Sequence, residues 1–148
     1  MKKIIFTLLI ILSVGTNAQE FQLLFTDNNE IIYNEKDWQQ AAQSNIYQLS
    51  VHKTSLNLRQ RQTPVYSLTE FHDPAGQKYE MLEQPVYKIY TFGLLDCQTA
   101  LFYITNHWFV DKDNKVVYND IKSIGSYIVD MRANNTPRND LFRLVCYK

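Results

Sequence analysis

The chain has 148 residues, with 15 lysines and arginines balanced by 15 aspartates and glutamates. That length suits one domain rather than two, and the balanced charge supplies no bulk attraction for nucleic acid or an anionic membrane. Ten tyrosines, eight phenylalanines and two tryptophans against four glycines favour a sheet over a helix bundle.

Met1 to Ala18 has the tripartite build of a secretory signal: Lys2 and Lys3, the apolar run Ile4 to Leu12, then a polar stretch ending in Thr16, Asn17 and Ala18. Small residues at Thr16 and Ala18 suit signal peptidase, so the mature chain is expected to start at Gln19. The apolar run is about half the length that a helix needs to cross a bilayer. No later segment approaches that length without a charge, and no transmembrane segment is expected after cleavage. Cysteine is absent from the cleavage site, which excludes lipid attachment there. Taking away 18 of 148 residues leaves 130, read as a single domain over 19–148, with 13 basic residues once Lys2 and Lys3 are gone, against 15 acidic. The expected location is the periplasm or the exterior, with association to the cell surface as a variant.

Phe21, Leu23 and Phe25 alternate as a strand and Asp27, Asn28 and Asn29 turn the chain into a short strand at Ile31 to Tyr33. Asn34 to Gln40 reads as one helical turn or a loop, anchored inward by Trp38. Ile46 to Lys53 is a strand with Tyr47, Leu49 and Val51 on one side and Gln48, Ser50 and His52 on the other, and Leu56 and Leu58 continue around a bend. Pro64 interrupts a polar stretch, Val65 to Phe71 alternates weakly, and Asp73, Pro74, Ala75 and Gly76 make a turn. Another extended piece is expected at Lys78 to Leu82.

Val86 to Leu95 carries apolar groups on both parities, which places it mid-sheet or between a helix and a partly covered face. Gln98 to Val110 is a second such run, bent or bulged near Thr105 to His107. Asp111 to Lys115 turns the chain into Val116 to Tyr118, and Tyr127 to Met131 is either extended or a short helix. Thr136 and Pro137 start a terminal helix with Leu141, Leu144 and Val145 as its buried stripe, and Phe142 and Cys146 on a neighbouring strip. The fold class is α+β: a single mainly antiparallel sheet with a packed C-terminal helix.

Cys97 and Cys146 are the two cysteines of an exported chain, where an even count invites a disulfide. Their long spacing, with no Cys-x-x-Cys, favours a structural crosslink over a reactive thiol pair.

Several segments together resemble the bacterial surface-adhesin protein E family: Ile31 to Tyr33 with Asn34 to Trp38, then Leu94, Leu95, Asp96 and Cys97, then Lys112 to Tyr118, and finally Pro137 to Cys146. The resemblance implies a small sheet with a packed helix, one internal disulfide and exposure on the cell envelope. It also implies binding of host matrix or plasma proteins and haem. The chain departs from that pattern in lacking a lipidation cysteine near its start, which fits periplasmic residence.

His52, His72 and His107 are scattered, and no His-Glu-x-x-His or close Cys/His grouping exists. Asp111, Asp113 and Asn114 look like the front of a calcium loop, but Val116 stands where its glycine is required and Lys122 where its terminal acid belongs. His107 beside Trp108 is a haem-ligand candidate whose plainer reading is a hydrogen-bonded strand histidine. No Gly-x-Ser-x-Gly elbow or glycine-rich phosphate cradle occurs. The expectation is therefore a non-enzymatic exported domain without metal or cofactor that binds a protein partner, adhesin-like in character. A periplasmic immunity or inhibitor protein acting against a toxin or hydrolase is the first alternative, and an envelope assembly factor the second. The candidate partner surface comprises the basic cluster His52, Lys53, Arg59 and Arg61, the turn residues Asp111, Lys112 and Asp113, and Trp108, drawn from a surplus of aromatics suited to interfaces.

Overall fold

The computed structural model describes residues 33–56, 60–123 and 125–147. Asn34–Lys148 forms one compact unit. The signal expected at Met1 to Ala18, the strand expected at Phe21 to Phe25, and Ile31 and Ile32 lie outside the described residues.

Asn34 caps a 3-10 turn at Glu35–Asp37, its side-chain oxygen accepting from the Lys36 N–H at 3.2 Å. Strand β1 (Trp38–Gln43) starts at the buried Trp38 and pairs with β2 (Tyr47–His52). Gln39 and Gln40 thus belong to a strand, not to the helical turn or loop expected, because their pairing with Val51 and Ser50 outweighs weak local preference. Lys53–Leu56 coils into a second 3-10 turn and seats Leu56 in the core; Leu58 lies outside the described residues.

The remaining elements are β3 (Gln62–Phe71), β4 (Lys88–Asp96), β5 (Leu101–Val110), β6 (Val116–Ile121), β7 (Ile128–Asp130) and helix α1 (Pro137–Cys146). The described strands form a seven-stranded antiparallel sheet in the order β1-β2-β3-β4-β5-β6, with β7 also paired to β5. Pro64 sits inside β3 without breaking it. The Tyr66 N–H, two residues on and of the same parity, leaves the sheet side of β4 and donates to the Ser55 hydroxyl at 3.1 Å, so the missing Pro64 donor faces the edge beyond the end of β2 and costs no ladder bond. Lys78 to Leu82 does not form the extended piece expected. Only Gln77 and Val86 bridge there, and a turn closed by the Leu82 N–H on the Tyr79 carbonyl (3.0 Å) occupies the interval.

The centre of the sheet holds a β-bulge. Phe92 stands opposite Asn106 and Gly93 opposite Ile104, so Thr105 has no partner on β4. Along β5 every second residue from Phe102 to Val110 is buried, an alternation that looks like one face in the sequence. The bulge sends the two halves to opposite sides. Phe102 and Ile104 join Leu95, Val65, Val51 and Leu49 in the core beneath α1, whereas Trp108 and Val110 lie on the face of Tyr90 and Leu68. Gly93 is required at this crossing. A Cβ there would lie 2.4 Å from the Tyr103 carbonyl oxygen and 2.9 Å from Ile104 Cα, both backbone atoms.

Helix α1 starts as its sequence dictates, with the Thr136 hydroxyl accepting from the Asn139 N–H at 3.3 Å and Pro137 in the first turn. Leu141, Phe142 and Val145 are its most buried apolar residues, with Leu144 half-buried, so Phe142 takes the place expected for Leu144. The helix packs on β1, β2 and the 3-10 turn after β2. A disulfide between Cys97 and Cys146, 49 residues apart with Cα atoms 5.5 Å from each other, ties its last turn to the corner after β4.

Two outcomes follow. Replacing both cysteines by serine is expected to lower unfolding free energy by about 4 kcal/mol, the loop-entropy value for a closure of this length, read as a reduced urea midpoint with an unchanged fold by circular dichroism. Gly93→Ala is expected to destabilise by about 3 kcal/mol through backbone overlap; a variant as stable as the parent would refute the close crossing.

Candidate functional site

α1 packs on β1 and β2 and shares one core with Leu95, Phe102 and Ile104 at one end of β4 and β5; farther along those strands the same face carries other groups. Strand register places Ser67, Thr91, His107 and Asp120 in one row across β3 to β6, and Thr69, Ile89, Phe109 and Tyr118 in the next. Tyr127, from the segment leading into β7, and Tyr79, from the turn before β4, reach the same rows. The rings touch in series. Tyr79 meets Phe109 at 5.5 Å between centroids, Phe109 meets Tyr118 at 5.6 Å and His107 at 6.3 Å, and His107 meets Tyr127 at 5.8 Å. Such tilted and edge-on pairs are the favoured aromatic geometries. Tyr118 and Tyr127 remain 38% and 44% exposed, which makes this ladder an accessible surface rather than core.

His107 anchors the ladder through its Nδ1, 3.1 Å from the Thr91 hydroxyl. Burial pushes its pKa below 6.5; Asp120 pulls it upward and Lys122 adds to the lowering. The Asp120 carboxylate is itself held by Lys122 Nζ at 3.0 Å. The row therefore presents a neutral imidazole and a buried hydroxyl, suited to hydrogen bonding within an aromatic surface. At the Tyr118 end the ladder runs into a depression lined by Met81, Leu82, Glu83, Asp111, Lys115 and Tyr118.

The residues singled out from the sequence are not assembled into one surface. His52, at the end of β2, packs edge-on against Trp38 at 5.1 Å and lies 2.8 Å from the Thr54 hydroxyl through Nδ1. Burial lowers its pKa, partly opposed by Asp37. Lys53 Nζ donates to the Lys36 carbonyl. Arg59 lies outside the described residues. Arg61 stands at the opposite end of β3, about 16 Å away at 3.3 Å per residue, and its Nε donates to Asp96 Oδ2 at 3.4 Å. Trp108 is 3% exposed and lies on the face of Tyr90, to which the bulge turns it. Asp111 organises a closed turn: its Oδ1 accepts from the N–H groups of Asp113 (2.8 Å) and Lys115 (3.0 Å), while Lys112 and Asp113 stay exposed at the tip. Among the described residues, no group of three or more His, Cys, Asp or Glu side chains is placed to hold a metal ion.

Asp96 was not marked as a site, yet it organises the disulfide corner. Its Oδ1 accepts from the backbone N–H groups of Gln98 (2.9 Å) and Thr99 (3.1 Å). The Thr99 bond is the largest cause of its lowered pKa, followed by an opposing desolvation, the Gln98 bond and Arg61. Tyr79, Tyr118 and Tyr127 were also missed. They come from three separate segments, whereas His107 of the same ladder stands out in the sequence beside Trp108. No protein-family model, curated protein or solved structure matches this chain.

For His107 the folded pKa lies below the unfolded value of 6.5, so the unfolded chain binds the proton first as pH falls. Stability is then constant above 6.5 and declines below it, toward the folded pKa. Urea unfolding on either side of 6.5 is expected to show this decline, reduced in His107→Asn; NMR titration of His107 at or above 6.5 would contradict its burial.

Proposed function

We propose that this chain is an exported, non-enzymatic protein of the bacterial envelope, periplasmic or loosely surface-associated, that binds a protein partner through the aromatic half of its sheet. The signal-like segment at Met1 to Ala18 supports export, and the disulfide agrees with an oxidising compartment. The observation carrying the binding role is the ladder itself: Tyr79, Phe109, Tyr118, His107 and Tyr127 in continuous ring contact, with Tyr118 and Tyr127 38% and 44% exposed. Tyrosine combines a large apolar contact with a hydroxyl that hydrogen-bonds at the rim, the chemistry on which protein interfaces concentrate their energy. The sequence's resemblance to surface-adhesin protein E points to the same class of activity.

The reading is tested by recovering partners of the mature chain from an envelope extract and measuring the affinity of the recovered partner. Tyr118→Ala and Tyr127→Ala alter half-exposed rings and are expected to keep the fold. Each is expected to weaken binding about 30-fold, the effect of losing a contact worth about 2 kcal/mol. Unchanged affinity in the double variant would place the interface elsewhere, and turnover of a cell-wall substrate by the purified chain would refute the non-enzymatic assignment.

A further inference from the structure

Among the described strands the sheet has two outer edges, and they differ. β1 carries Gln39, Gln40 and Gln43 and lies against α1. At the other edge β6 and β7 lie end to end along β5, β6 against Asn106–Val110 and β7 against Leu101–Tyr103. Both run antiparallel to β5, so they share one direction.

Hydrogen-bond parity shows which of their backbone groups face outward. The Lys122 N–H donates to the Thr105 carbonyl at 2.6 Å; Asp120 and Tyr118, of the same parity, therefore turn their polar groups toward β5, and Asn119 and Ile121 turn theirs away. On β7 the Tyr127 carbonyl accepts from the Ile104 N–H at 3.0 Å and the Met131 N–H donates to the Ala100 carbonyl at 2.9 Å. Ile128 and Asp130 consequently face outward. The outward N–H and C=O groups of Asn119, Ile121 and Ile128 have no backbone partner among the described residues. Around this row stand Tyr118, Ile121, Tyr127 and Ile128, with exposures of 38%, 71%, 44% and 46%. They are four of the seven exposed large apolar side chains among the described residues. Tyr118 and Tyr127 lie on the ladder face, while Ile121 and Ile128 register with Asn106 and Tyr103 on the other.

We infer that the β6–β7 edge is a strand-addition site that takes an extended segment of a partner polypeptide. The inference rests on the protein-binding reading above and specifies its mode. An added strand would satisfy the outward backbone groups and bring its alternate side chains against Tyr118 and Tyr127 on one face and Ile121 and Ile128 on the other. The occupant is a segment of another chain rather than a second copy of this one. The six residues of β6 give an edge about 20 Å long and roughly 10 Å thick, an area of about 200 Å² that falls well short of the roughly 800 Å² per partner that a stable interface between folded copies buries, whereas a single extended segment needs only the edge itself. The Lys122–Asp120 ion pair at that interval places charge on the edge, a feature that discourages indiscriminate pairing.

The test uses the full mature chain and a displayed library of random linear peptides. Enriched peptides are expected to slow amide exchange at Asn119, Ile121 and Ile128. N-methylation of a peptide's alternate, edge-facing amides is expected to lower affinity at least about tenfold, and methylation of the others is expected to change it little. Ile121→Lys is expected to lower affinity similarly without moving the urea midpoint. Peptides that bind insensitively to N-methylation, or that protect other amides, would overturn strand addition while leaving protein binding in place. No enrichment would also overturn it, with the protein-binding reading judged by its own partner recovery. A peptide-free dimer with the same amides protected would assign the edge to self-association and overturn it as well.

Discussion

The crossing of β4 and β5 at Gly93 and Thr105 is the constraint on which the rest of the sheet depends. One unpaired residue on β5 reverses the facing of everything beyond it. Phe102 and Ile104 thereby enter the core below the helix, Trp108 and Val110 enter the buried set on the other face, and His107 and Phe109 emerge on the half-face beyond the helix. The crossing tolerates no Cβ because the opposing atoms belong to the backbone and cannot rotate away. It also ends β6 and begins β7, since Thr105 accepts from Lys122 and Ile104 donates to Tyr127 at the junction.

The disulfide acts at the other end of the same strand pair. Asp96 orders the corner after β4 by receiving two backbone N–H groups, and Cys97, the next residue, holds the last turn of α1. A helix fixed there lies over β1 and β2 and shares its core with the Leu95 and Phe102 end of β4 and β5. The rows farther along that face carry Ile89, His107, Phe109 and Tyr118 with Tyr79 and Tyr127. Their half-burial adds apolar contact to the sheet while leaving Tyr118 and Tyr127 accessible to solvent. His107 occupies the middle of that surface as a neutral ring bonded to Thr91, and burial is what keeps it neutral.

Much of the architecture was legible because its signals are local. Thr136 and Pro137 announce a helix start by satisfying or dispensing with first-turn N–H groups, and Asp73 to Gly76 form a turn in which Gly76 adopts φ +72°. Both-sided apolar character placed β4 in the middle of the sheet, where it lies between β3 and β5. The bend expected near Thr105 is the observed bulge. Its consequence was not legible, because the parity of β5 continues unbroken in the sequence while the strand itself switches faces. The same blindness put Trp108 among surface candidates, and it grouped His52, Lys53 and Arg61 by proximity along the chain although a turn and half a strand separate them.

By itself the sequence determined a single antiparallel sheet closed by a helix, the two cysteines that cross-link it, and an aromatic surplus with no assembled catalytic motif. These are readable because propensity, capping and pairing chemistry act over a few residues, or follow from a count of two. Only the tertiary structure decided which aromatics are core and which form a surface. That choice depends on strand register, on one unpaired residue at Thr105 and on where a tethered helix comes to rest. Each of these is set by contacts between segments far apart in the chain, and none leaves a local trace at Tyr79, Tyr118 or Tyr127.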